Sequence, residues 1–205
     1  MPKKDRPQLN KERKTSAERS EISKNNMAKG TSFQRKVAKK LQEFFEAHGV
    51  EGEFHSTPRS GGLRWHGRSD VIGDVVTPEN FRFTIECKKH SEIDLHCLFL
   101  SRSANTSADL INFWTQVCED CVRSGRTPML VFEQLRGKTI VVLPHSLRWS
   151  RKDRSSALEH SEVMTAWVNV LDINPEWAYV KLTRLETLLE NTTPDFFKTP
   201  PRKAW

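Results

Sequence analysis

The sequence has one tyrosine, four cysteines, nine glycines of which only two are adjacent, and no apolar run long enough to cross a bilayer. Its N-terminus lacks the apolar centre of a signal peptide, so the chain is expected in the cytosol of its cell. There Cys87, Cys97, Cys118 and Cys121 stay reduced, which excludes a disulfide-stapled scaffold. Cys118-Glu-Asp-Cys121 has the gap of a zinc site, but it lies within a helical pattern and has no second pair at a suitable distance. Small buried thiols are the better expectation. No internal repeat is visible, which argues against a solenoid.

What is present fits one soluble domain with tails. The 205 residues are 36% apolar, enough for one ordinary core. A formal charge of +7 and a pI near 9.4 favour a polyanionic partner, most commonly nucleic acid, over a merely basic soluble protein. Residues 1–29 carry nine Lys/Arg against four Asp/Glu and almost no large apolar side chain. Such a segment cannot offset its ordering entropy by burial and reads as a mobile basic arm, either contacting phosphates or solubilising the chain.

Thr31 or Ser32 can cap a helix over residues 32–47, whose apolar face is Phe33, Val37, Leu41, Phe44 and Phe45, with Gly49 as its stop. Arg35, Lys36, Lys39 and Lys40 face solvent or a polyanion. Residues 54–69 begin as a short strand and turn into a glycine-rich loop holding Arg59, Ser60, Arg64, His66 and Arg68, with arginines suited to gripping phosphates in pairs of hydrogen bonds. Residues 107–124 have helical spacing, ended by Gly125. Strands follow at Pro128–Glu133 and Lys138–Leu143. Beyond Pro144 the pattern loosens: a basic patch at Arg148–Arg154 with Trp149, a partly helical stretch over 157–168, a strand over 177–182, a short helix over 183–189 and an irregular tail.

The chemistry concentrates between Gly73 and Lys89. Phe81, Phe83, Ile85 and Cys87 alternate with Arg82, Thr84, Glu86 and Lys88, so Glu86 and Lys88 share one side of a strand. Asp70–Val76 reads as a second strand, joined to the first by the turn Thr77-Pro-Glu-Asn; a hairpin would bring Asp74 to the Glu86/Lys88 end. Two converging carboxylates need a cation, and hard oxygen ligands with an open shell suit Mg²⁺ or Mn²⁺. That points to metal-assisted phosphodiester hydrolysis.

Asp74, eleven residues, then Glu86-Cys87-Lys88 resembles the PD-(D/E)XK nuclease superfamily. With the helix opening near Gly30, the Thr57-Pro-Arg-Ser-Gly-Gly loop, Gly73-Asp-Val-Val, the Trp114/Gln116 helix and Pro128-Met-Leu-Val-Phe, residues 29–143 resemble phage-type Holliday junction resolvase-like endonucleases. The resemblance implies an α/β, restriction-endonuclease-like mixed central sheet flanked by helices, with an αβββαβ core over 30–145 and a partly ordered C-terminal extension over 146–205. It implies Asp74 and Glu86 as metal ligands, with the Cys87 carbonyl as a third. Lys88 would activate or orient the attacking water, and Arg59 and Ser60 match the relatives' phosphate-contacting loop; Arg64, His66, Arg68 and Lys89 are further expected DNA contacts, and Gln116 either faces the site or serves packing or capping. Asp70 is either a further acidic ligand or a residue at the start of its strand.

Many relatives place a glutamate on the first helix to complete the metal site, whereas the matching position here is Gln34. Glutamine can orient water but carries no charge; Glu43 is the other acid on that helix in question. The resemblance further implies a Mg²⁺- or Mn²⁺-dependent DNA endonuclease acting as a homodimer on branched DNA. The alternatives are a sequence-specific restriction or homing enzyme on the same core, and a non-catalytic nucleic-acid-binding or virion protein.

Overall fold

The computed structural model describes residues 15–57, 72–90, 109–134, 137–147, 164–168 and 170–199. Helix α1 (Ser16–Ala47) is followed by β1 (His55–Ser56), β2 (Val75–Val76), β3 (Phe83–His90), α2 (Asp109–Ser124), β4 (Thr127–Gln134) and β5 (Thr139–Pro144). Then come β6 (Met164–Trp167), β7 (Tyr179–Arg184), α3 (Leu185–Glu190) and a 3₁₀ turn at Pro194–Phe197. The five longer strands form one mixed sheet in the order β3-β4-β5-β7-β6, with β3 and β4 parallel and the other neighbours antiparallel. A parallel β3–β4 pair needs a crossover, and α2 is its helical part. The mixed sheet with helices is the restriction-endonuclease-like α/β fold expected from the sequence.

Side-chain parity divides the core in two. Phe83, Ile85 and Cys87 of β3, with Met129, Val131, Val141 and Leu143, pack under Phe33, Val37, Leu41 and Phe45 of α1. Leu130, Phe132, Val142, Val180 and Leu182 on the opposite face pack against Leu110, Trp114, Val117 and Cys121 of α2. A period of two in the strands meets a period of about 3.6 in each helix, so one α–β–α sandwich buries both stripes. Cys118 and Cys121 are buried thiols on α2, and burial pushes the Cys121 thiol up to about 12.

Three expectations change. The first helix opens at Ser16 rather than near Thr31, so residues 16–29 of the expected arm are helical. Gly30 inside a helix costs only about 1 kcal/mol against alanine. The Thr31 hydroxyl donates to the Met27 carbonyl at 3.1 Å, the back-bond of a threonine within a helix rather than a cap.

The expected hairpin is also different: β2 pairs with β1, not with β3. The early edge of β3 is taken instead by the C-terminal segment, through a Phe81–Lys198 bridge and the Arg82 amide donating to the Phe197 carbonyl at 2.8 Å. The loosely patterned C-terminal region is the third change. Residues 164–167 form a strand rather than a helix, β7 lies between β5 and β6, and Phe197 stacks on Phe81 with ring centroids 5.8 Å apart. The short local pattern of residues 164–167 is overruled by pairing with β7. Among the described residues, no helix is long and apolar enough to cross a membrane.

Candidate active site

Strand β3 is an edge strand, and its free side is where the chemistry collects. Gly73 makes the approach possible. It sits at φ 103°, and a Cβ there would lie 2.7 Å from the Ile85 carbonyl oxygen, so only glycine lets the chain come this close. The next residue, Asp74, donates its amide to that same oxygen at 2.8 Å. From the other side, Thr57 donates its amide to the Asp74 carbonyl and its hydroxyl to the Gly73 carbonyl, each at 2.9 Å. Asp74 is thus pinned between β1 and β3 without a strand ladder to β3.

The Asp74 carboxylate accepts the Cys87 amide at 2.8 Å. A residue in an extended strand directs its N–H and C=O to the same edge, so the Cys87 carbonyl also faces the Asp74 side. The Cys87 thiol is on the α1 face and buried, and burial with the adjacent carboxylates drives it well above the usual thiol range. Its contribution at the edge comes from its backbone.

Glu86 and Lys88 project to the α2 face, as alternation requires. Lys88 Nζ lies 2.6 Å from Glu86 Oε1. Gln116 on α2 joins both: its amide nitrogen donates to Glu86 Oε1 at 3.0 Å, and its oxygen accepts from Lys88 Nζ at 3.1 Å. Lys88 also lies 5.1 Å from the centre of the Phe113 ring. Asp74 and Glu86 are 7% and 4% exposed, so two carboxyl groups are taken nearly out of water beside one partly exposed ammonium.

The electrostatics of Glu86 follow from that crowding. Burial, and then the charge of Asp74, push its carboxyl up to about 7; the Lys88 ammonium opposes this, and Asp120 on α2 adds a smaller upward push. A carboxyl held half-protonated near neutrality for want of positive charge is one that a bound cation would return to its ionised form. Asp74, Glu86 and the Cys87 carbonyl are the residues that could hold a divalent cation here, since hard oxygen donors suit Mg²⁺ or Mn²⁺. Among the described residues no group of three or more His, Cys, Asp or Glu side chains gathers at metal-binding spacing.

Lys89 projects to the α1 face, where its ammonium lies 3.1 Å from Glu133, a carboxylate shared with Lys36. Gln34 is buried on α1, one turn before Ala38, which lines a groove with His55 and Ser56. Glu43 is exposed and lies 3.6 Å from Lys39. Arg59, Ser60, Arg64, His66, Arg68, Asp70 and the Arg148–Arg154 patch lie outside the described residues.

Sequence reasoning missed Thr57 as an anchor of Asp74, Phe113 as a neighbour of Lys88, and Glu133 as the partner of Lys89. Only Glu133 had a usable signal: it lies on the same parity of β4 as Val131 and Met129, opposite the α1 lysines.

A family model described as "phage putative PDDEXK endonuclease" matches residues 25–199. No curated protein matches the chain, and no solved structure does.

Proposed function

Because the chain belongs to this family of phage PD-(D/E)XK endonucleases, nucleases that hydrolyse phosphodiester bonds, we propose that its active centre is Asp74, Glu86 and Lys88 at the free edge of β3. The observation that carries the reading is the pairing of two buried carboxyl groups with one lysine, with Glu86 held near 7. Asp74, Glu86 and the Cys87 carbonyl would hold a divalent cation, Mg²⁺ or Mn²⁺. When bound, such a cation acidifies water and stabilises charge on phosphate oxygen.

The chain's own residues do the rest. Lys88 places a positive charge where negative charge develops on the attacked phosphate and holds or receives a proton at the attacking oxygen. Asp74, fixed through its own backbone and through the Cys87 amide, keeps the donor set from reorganising. Gln34 contributes at most a neutral oxygen, so among the described residues the site carries two acidic side chains rather than three.

The proposed substrate is DNA, with branched DNA such as a four-way junction preferred, cut by a homodimer that sets one centre on each of two opposed strands in a phage-infected bacterial cell. The net charge of +7 supports a polyanionic substrate, and the resemblance to junction resolvases supports the branch. Arg59, Ser60, Arg64, His66 and Arg68, which precede the catalytic carboxylates in the chain, would contact DNA, whereas Lys89 is held by Glu133 on the other face and Gln116 is held between Glu86 and Lys88.

The test sets wild type beside Lys88→Ala on a four-way junction and on linear duplexes of varied sequence, in Mg²⁺ and in Mn²⁺. Cleavage at the branch whatever the flanking sequence, lost in Lys88→Ala with binding retained, is expected. Discrete fragments from unbranched DNA would replace the junction with a sequence-specific substrate. No cleavage of any DNA would leave a nucleic-acid-binding protein, the reading that Gln34 favours.

A further inference from the structure

We propose that helix α2 positions the Lys88 ammonium, and that Phe113 and Gln116 are the side chains through which it does so; this rests on reading Asp74, Glu86 and Lys88 as a hydrolytic centre. Lysine is a poor self-positioning group, because its ammonium ends a flexible four-carbon stem. Lys88, with its side chain 25% exposed at the edge of the sheet, needs outside contacts to keep its charge in one place. Among the described residues it has three: Glu86 Oε1 at 2.6 Å, Gln116 Oε1 at 3.1 Å and the Phe113 ring centre at 5.1 Å.

Two of those three come from one helix. Phe113 and Gln116 are three residues apart on α2 and so sit on one side of it. The ring attracts the ammonium through its negative face, and the amide oxygen accepts one of its protons. The amide can adopt only one orientation, because the reverse would set its oxygen against the Glu86 carboxylate and its NH₂ against the Lys88 ammonium. Gln116 therefore reads the acid and the base together, donating to one at 3.0 Å and accepting from the other.

The platform is rigid. Trp114 and Val117, beside these two residues in sequence, are fully buried against the sheet, and the Trp114 indole donates to the Trp177 carbonyl at 3.0 Å. The direction of the device matters for chemistry. Were a cation to engage Glu86, its hold on Lys88 would weaken, and Phe113 and Gln116 would still keep the ammonium in place. They are positioning residues and touch no reacting atom.

The full-length protein labelled with ¹³C-lysine gives a readout independent of activity. The Lys88 Cε–Hε resonance, identified by its loss in Lys88→Arg, is expected upfield of the exposed lysines because it lies over the Phe113 ring. Phe113→Leu should return it to the exposed-lysine envelope, Phe113→Tyr should leave it displaced, and Gln116→Met should reduce the displacement. In cleavage, Phe113→Leu and Gln116→Met should lower kcat roughly 10- to 100-fold with KM within about twofold, while Phe113→Tyr stays near wild type.

A wild-type Lys88 resonance inside the exposed envelope, or one that Phe113→Leu does not move, overturns the proposal. So does unchanged kcat in both truncating variants of an active enzyme. If wild type cleaves no nucleic acid, the hydrolytic reading fails by itself, and the lysine resonance still decides whether α2 positions Lys88.

Discussion

Lys88 and Lys89 are neighbours in sequence, yet they face opposite sides of the sheet and serve opposite kinds of carboxylate. Lys89 shares Glu133 with Lys36, and the Thr139 hydroxyl donates to the same carboxylate at 3.3 Å. Although burial alone would raise the Glu133 carboxyl, hydrogen bonds and charge from its two lysines bring it below the ordinary carboxylate range. Glu86 has one lysine and a second carboxyl, Asp74, and is pushed up instead. A carboxylate with two cations is a completed ion pair. A buried carboxylate with one cation and another acid stays short of positive charge, which supports the proposal of a divalent cation beside Asp74 and Glu86.

The contrast can be broken most forcefully by removing each lysine. Lys88→Ala should cost about 10³-fold in cleavage, on the scale of losing one preorganised charge at an oxyanion. Lys89→Ala should stay within about tenfold and act mainly on KM, because its partner is on the other face. Equal losses would end the distinction.

Next in size is the pH dependence of stability in metal-free protein. Glu86 binds its proton more tightly folded than unfolded, so its contribution is fully present below about 4.5 and is lost as pH rises through about 7. The loss is at most about 3 kcal/mol, and thermal melts of Glu86→Gln should not show it. Glu133 has the opposite sign: its depressed carboxyl stabilises above the unfolded value and loses that contribution as pH falls through the folded one. Melts of Glu133→Gln should therefore differ from wild type least in acid.

Divalent cation should sharpen the comparison further. Mn²⁺ at about 100 times its dissociation constant should stabilise wild type by about 2.7 kcal/mol, seen as a raised Tm, and Asp74→Asn by about 1.4 kcal/mol or less. The smallest effect is expected from Glu133→Gln at neutral pH: a loss of about 1 kcal/mol, because Lys36 and Lys89 can turn to water, with metal stabilisation retained. A Glu133 variant that lost its response to Mn²⁺ would show that the two faces are coupled.

The site was legible where chemistry follows from alternation and hidden where it follows from contacts distant in sequence. Parity along β3 was enough to put Glu86 beside Lys88 and both opposite Cys87. The strands at β4 and β5 and the helix at α2 were equally plain, since each has an unbroken apolar period. Asp74 was brought to the right end of β3, but by a glycine approach and two contacts from Thr57 rather than by a hairpin.

Elsewhere local rules were overruled. Gly30 and Thr31 looked like a helix start, yet the helix passes through both. Residues 164–167 took their state from pairing with β7. Phe196 and Phe197 lie in a segment that has no period of its own, and they are buried because the α1 side of the sheet leaves room for two more rings. None of those long-range partners can be read from the residues nearby.

The most direct test of the central claim is a Mn²⁺ titration of the full-length protein by calorimetry without DNA, run on wild type, Asp74→Asn and Glu133→Gln. Binding by wild type and by Glu133→Gln, with at least a tenfold weakening in Asp74→Asn, is the expected result. Binding that Asp74→Asn leaves intact, or that Glu133→Gln abolishes, would contradict a metal centre on the Asp74/Glu86 side of β3.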